Sequence, residues 1–301
     1  MQIKKALVIS LRGLVVCLLF SLCMAVSVFL SGLASVAPPQ QTSGHFFLPL
    51  LIFSLSVGIV VSYLILRSNW YGWTLAGAMF VAMYGISTVV NQIESVYFLS
   101  SKLSHGMIRA IFVQGAIGTT LFVPLAILVL GKWRAAVPSM VSPAPTPMRA
   151  ASAVWRVILL VVVFVFLYMF FGYYVAWQNP ELRKYYGGPD WPTFLDAIKG
   201  NWRDSRWIFP LASFRALLFV AFVYPLIRML RVDRWESATA VALFLGCWTT
   251  ALLLPNPLMP ASVARSHFWE TLMFSLVFGA LLGWLMSTPR SSIIKIALTV
   301  D

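Results

Sequence analysis

The stretch ARSHFWETLMF, residues 264–274, brings a base, an imidazole and a carboxylate (Arg265, His267 and Glu270) into the start of a long apolar run. His267 and Glu270 are three residues apart, so on a helix they share a face and can act as an acid/base pair. Three more ionisable residues interrupt apolar runs: Glu94, Arg109 and Arg215. Asn91 precedes Glu94 by three residues and His105 precedes Arg109 by four, which again puts each pair on one helical face. Arg109 and Arg215 are suited to holding an anionic or polar solute, and Glu94 or Glu270 to relaying a proton. Asn256 lies in PNPLMP, where three prolines force an irregular link.

Other chemistries are less well served. Two histidines and two carboxylates could ligate zinc, but HEXXH is absent, HFWE places His and Glu at i,i+3 only once, and two arginines would oppose a cation. No metal and no cofactor is expected. The chain has no Walker A loop, GxSxG elbow, dinucleotide fingerprint or CxxCH haem attachment, and its motifs point to no known family.

The elements that must carry these residues are membrane spans. The chain has 301 residues, 60% hydrophobic and 10% charged, with a mean hydropathy of +0.86, whereas a soluble domain has about a quarter charged residues. Several runs reach the ~20 apolar residues that cross a hydrocarbon core. They are too long and too uniformly apolar for barrel strands, so the fold class is all-α: a polytopic membrane protein of about eight transmembrane helices, its partner the lipid bilayer. The expected spans are 6–35, 46–66, 72–99, 104–130, 153–176, 207–227, 237–255 and 265–286. The net charge of +13 is read as basic residues flanking spans rather than a nucleic-acid footprint. Cys17, Cys23 and Cys247 fall inside spans and read as small apolar residues. Lys4, Lys5 and the apolar run behind them resemble a signal peptide, but the run is long and Pro38 follows the candidate cut, so a retained helix is expected.

With eight spans, Lys4, Lys5, Arg67, Lys132, Arg134, Arg149, Arg228, Arg231, Arg234, Arg290 and Lys295 share one side. That places both termini in the cytoplasm of a bacterial-type inner (plasma) membrane and loop 177–206 outside. The halves look related. Pro49 matches Pro210 and Arg67 matches Arg228 at an offset of 161, Ser104-His105 matches Ser266-His267 at 162, and Arg12 matches Arg156 at 144. Four spans per half make the repeats parallel. The chain thus divides into repeat 1 (1–134), a Pro-rich cytoplasmic linker (135–150) and repeat 2 (151–301). Within the external loop, Asp190 and Pro192 are expected to start a short surface helix that Gly200 ends, with Trp191, Phe194, Leu195 and Ile198 on one side.

At 1.5 Å per residue, Glu94, Arg109, Arg215 and Glu270 all fall about 5–12 Å below the outer boundary. Four charges at one depth avoid lipid by facing a shared interior. Gln114, Ser54 and Thr271 lie near that depth, while His45 reads as a boundary residue. The function expected is a transporter or binder of a small polar or anionic solute, through an outward-facing pocket between the repeats lined by Glu94, Arg109, Arg215, His267, Glu270, His105, Asn91 and Asn256. Two alternatives stand beside it: a membrane-embedded enzyme with His267 and Glu270 as acid/base, or a non-catalytic subunit whose charges only fix helix register. Enzyme activity, substrate and oligomeric state are not legible.

Overall fold

The computed structural model describes residues 2–37, 46–99, 102–134, 150–230 and 232–287. It is an all-helical bundle with eight helices long and apolar enough to cross a membrane. Spans 1–4 are Ala6–Leu30, Phe47–Arg67, Gly72–Leu99 and His105–Val129; spans 5–8 are Ala150–Ala176, Ile208–Met229, Arg234–Leu253 and Ala261–Met286. The proximal end of the bundle is where span 1 begins and span 8 stops; the distal end is opposite. Linker residues 135–149, together with His45, Arg231, Arg290 and Lys295, lie outside the described residues.

Apolar side chains carry each helix, and local chemistry sets its ends. Span 1 stops at Leu30, five residues earlier than expected, because Gly32 adopts φ 69°, a left-handed conformation that turns the chain into the short helix Leu33–Val36. Ser104 caps span 4, its hydroxyl accepting from the Met107 amide at 3.2 Å, and Asp233 caps span 7 by accepting from the Glu236 amide at 2.8 Å. Spans 3 and 5 each contain one widened turn with i→i+5 bonds, at Gly85–Val90 and Gly172–Ala176.

The distal loop holds two helices, not one. Asn179 caps Pro180–Tyr186, with Pro180 in its first turn and Gly187 past its end, a start-and-stop signal the sequence reading passed over. The second helix is Phe194–Asp204. Its cap is Thr193, whose hydroxyl accepts from the Asp196 amide at 3.1 Å. Asp190 is not the cap: it pairs with Arg183 at 3.1 Å. Gly200 lies within that helix instead of ending it, where its missing side chain makes room for the Trp191 ring.

The main helix contacts follow the order 1–2–7–8–5–6–3–4 and return to span 1. One continuous core runs through them, with Val57, Leu64, Met79, Phe164, Phe244 and Phe278 fully buried. Spans 7 and 8 pack most tightly: a Cβ at Gly283 would sit 2.5 Å from the Ser237 carbonyl oxygen, and one at Gly279 2.7 Å from Ala242 Cα. At the proximal end, Ser68 and Leu230 form an antiparallel bridge between the loops after spans 2 and 6. Glu236 binds both Arg67 and the Tyr63 hydroxyl there, a pairing of spans 2 and 7 that the sequence reading missed. Burial lowers the pKa of Lys132, whose ammonium donates to the Ser68 carbonyl at 2.7 Å.

Candidate functional site

Six widened-turn residues in span 3 reset the helix before Asn91 and Glu94, a distortion that often accompanies functional sites. Beyond it, Glu94 faces span 6 and meets Arg215: Nη2 to Oε2 is 2.6 Å. Arg215 is 6% exposed, so its charge is balanced within the bundle. The second oxygen of Glu94 accepts from the Tyr168 hydroxyl of span 5 at 2.9 Å. Tyr168 also places its ring 5.7 Å from the Arg215 guanidinium. Arg215 Nε is buried without a hydrogen-bond partner.

A second group adjoins this one. His267 Nδ1 lies 2.7 Å from Glu270 Oε2, as the i,i+3 spacing of span 8 predicts. The other ring nitrogen, Nε2, is 3.0 Å from the hydroxyl of Tyr186, on the distal helix Pro180–Tyr186. Span 5 joins the two groups, with Tyr168 bonded to Glu94 and Gly172, one turn further on, beside Glu270. Gly172 of span 5 borders Glu270: a Cβ there would lie 3.5 Å from Oε1, an ordinary van der Waals contact. Tyr186 stands outside the spans. Burial, and then the neighbouring Tyr185, Glu94 and Glu270, push its phenol well above the ordinary value, so it remains a donor at neutral pH.

The structure therefore brings together Glu94, Arg215, His267 and Glu270 and adds Tyr168 and Tyr186. Their signal in the sequence was weak, because tyrosines near span ends also belong to the interfacial belt. The remaining candidates lie elsewhere. Arg109 is exposed on span 4 and makes no hydrogen bond or ion pair with a described residue. His105 is exposed at the start of that span. Asn256 accepts from the Leu258 amide at 2.9 Å and so closes a local turn. Asn91 donates to the Ser87 carbonyl at 3.3 Å and faces a separate cavity. Arg265 lines a shallow distal groove with Asn179, Ser266 and Trp269.

That separate cavity, about 210 Å³, lies between spans 1, 2, 3, 4 and 7. Ser87, Thr88, Asn91, Gln92, Gln114 and Thr119 supply its polar wall, and Phe20, Phe53, Phe122 and Trp248 its aromatic one. None of its lining residues is charged. Among the described residues, no three of His, Cys, Asp and Glu gather as a metal-binding set.

Fold and site together define a polytopic integral membrane protein that carries, among the described residues, a mixed-charge cluster and a neutral cavity. No family model, curated protein or solved structure matches the chain.

Proposed function

We propose that the protein is a carrier of a small polar solute in a bacterial-type inner membrane, that its termini are cytoplasmic, and that the Glu94–Arg215–Tyr168–Glu270–His267 cluster is its proton-exchanging part. The carrying observation is a charge count. Two carboxylates stand in the cluster beside a single buried guanidinium: Glu94 pairs with Arg215, and Glu270 pairs with His267, the remaining base. With a neutral imidazole the cluster holds one excess negative charge; one proton balances it, and at this depth balance is strongly favoured. Because Glu94 already neutralises Arg215, the arrangement favours a polar solute over an anionic one.

We further read the bundle as two parallel repeats, residues 1–134 and 151–301. The packing order supports this: exchanging each span for the one four later reproduces every main neighbour pair. The matched arginines behave alike. Arg12 lies beside Gly131 at the end of span 4, and Arg156 donates to the Leu285 carbonyl at the end of span 8, at 2.5 Å.

The test uses liposomes holding the purified protein and a pH-sensitive dye, exposed in turn to neutral amides, polyols and amino acids. At least one solute should drive a dye signal that His267→Ala and Glu270→Gln abolish while both variants still insert. No signal with any solute, or equal signals in the variants, would sink the carrier reading. A second reading, in which the cluster is only a brace, is favoured by the partner that each oxygen of Glu94 finds, Arg215 on one and Tyr168 on the other.

A further inference from the structure

Arg109 stands apart from the charged cluster. It lies in the second turn of span 4, is exposed, and pairs with no described residue. Arginine keeps its charge at any ordinary pH, and a charge at the edge of hydrocarbon settles only beside an opposite charge or water. We propose that Arg109 holds the phosphate of a phospholipid in the leaflet at the distal end, and that the outer face of span 4 is the seat of that lipid.

The described residues leave Arg109 no counter-charge. The chain has nine acidic residues. Glu94, Asp190, Asp204, Glu236 and Glu270 are ion-paired with other bases. Glu181 accepts from the Ser262 hydroxyl and Asp196 from that of Thr193, while Asp233 caps span 7 at the opposite end of the bundle. Asp301 lies outside the described residues.

The surroundings of Arg109 favour a lipid over a soluble anion. Ile111, Gln114, Gly118 and Phe122 turn one face of span 4 to the neutral cavity. Arg109 is on the other face, four residues before Val113, which is 40% exposed. Leu121, Leu125 and Leu128 of the same span are exposed as well. An outward cation at the end of an apolar helix surface matches both parts of a phospholipid, the phosphate and the acyl chains. Two exposed bases precede it in sequence and add donors for the remaining phosphate oxygens: His105, one turn earlier, and Lys102, whose ammonium lies 3.4 Å from the centre of the Tyr185 ring. Gly106 leaves room for a headgroup, since only Ser104 Oγ comes within 4 Å of the place a Cβ would take. A soluble anion would meet the guanidinium but gain nothing from the apolar surface.

The test returns defined lipids to the delipidated full chain in detergent and counts bound lipid by native mass spectrometry. Phosphatidylglycerol and diacylglycerol with the same acyl chains differ in the phosphate headgroup. Phosphatidylglycerol should bind saturably, and diacylglycerol should not bind at the same concentration. Arg109→Gln should weaken phosphatidylglycerol binding about tenfold. Arg206→Gln, which removes an exposed distal charge outside the spans, should leave it unchanged. If Arg109→Gln does not fold, Gly106→Leu keeps the guanidinium, fills the room beside it and should weaken binding instead. Inorganic phosphate in excess should leave the lipid bound. Equal binding of diacylglycerol, undiminished binding in Arg109→Gln or Gly106→Leu, an equal loss in Arg206→Gln, or displacement by inorganic phosphate overturns the proposal. Bound lipid is the readout, so failure of the carrier assay leaves this result intact.

Discussion

Glu94 and Arg215 are not equivalent partners, although each neutralises the other. Arg215 is the more deeply buried of the two. An orphaned carboxylate can take up a proton and become neutral; an orphaned guanidinium cannot. Glu94→Ala should therefore cost more stability, about 3–5 kcal/mol, than Arg215→Ala, at about 1–3 kcal/mol. The double variant should recover part of the larger loss. Thermal melts in detergent check the order, and equal losses would show that the pair is not what holds the cluster. Tyr186 offers a pH test. Its proton is held more tightly in the folded than in the unfolded chain. Its stabilising effect is then complete below an ordinary phenol value of about 10 and is lost as pH rises above it. Tyr186→Phe should flatten the alkaline fall in melting temperature. At this scale, the sequence disclosed the charged residues, because charges are rare in an apolar background. It could not disclose who pairs with whom: the rotation of one span against another depends on packing that apolar repeats leave undetermined. Arg109 illustrates the limit: expected at the depth of Arg215, it is exposed where Arg215 is buried.

Helix existence was legible at the level of the element because length and hydropathy decide it. Helix ends were less so, because one glycine or one cap moves them. Gly32 shortened span 1, and Thr193 took the cap expected of Asp190. The widened turns in spans 3 and 5 left no periodicity signal that the reading used. Close helix contacts can be tested with matched glycines. Gly283→Ala would drive a methyl group into the span 7 backbone at Ser237 and Ala238. A backbone cannot swing aside, so a loss of about 1–3 kcal/mol is expected. Gly77 has no atom within 4 Å of its Cβ position, and Gly77→Ala should change stability by no more than about 1 kcal/mol. Comparable losses at both positions would argue against the close approach of spans 7 and 8.

For the whole molecule, the proposed orientation, with the distal end outside, rests on the basic residues at the proximal end. Lys184 is placed on a distal helix, and the three native cysteines are buried, so background labelling should be low. Lys184→Cys should react with an impermeant maleimide on intact spheroplasts; reaction only after permeabilisation would reverse the topology. The burial of the spans has a consequence for how the chain is made. Spans 1 and 5 are the most apolar of the eight and the least enclosed, whereas span 7 is the least apolar and the most enclosed. A nascent chain releases span 1 first, and that helix can partition into lipid unaided. Span 7 emerges with a weaker claim on the bilayer and is expected to settle only against its neighbours, span 2 and span 8. Insertion is thus expected to be partly paired: the most apolar helices can enter lipid alone, whereas span 7 is held by span 2, which precedes it, and above all by span 8, which follows it.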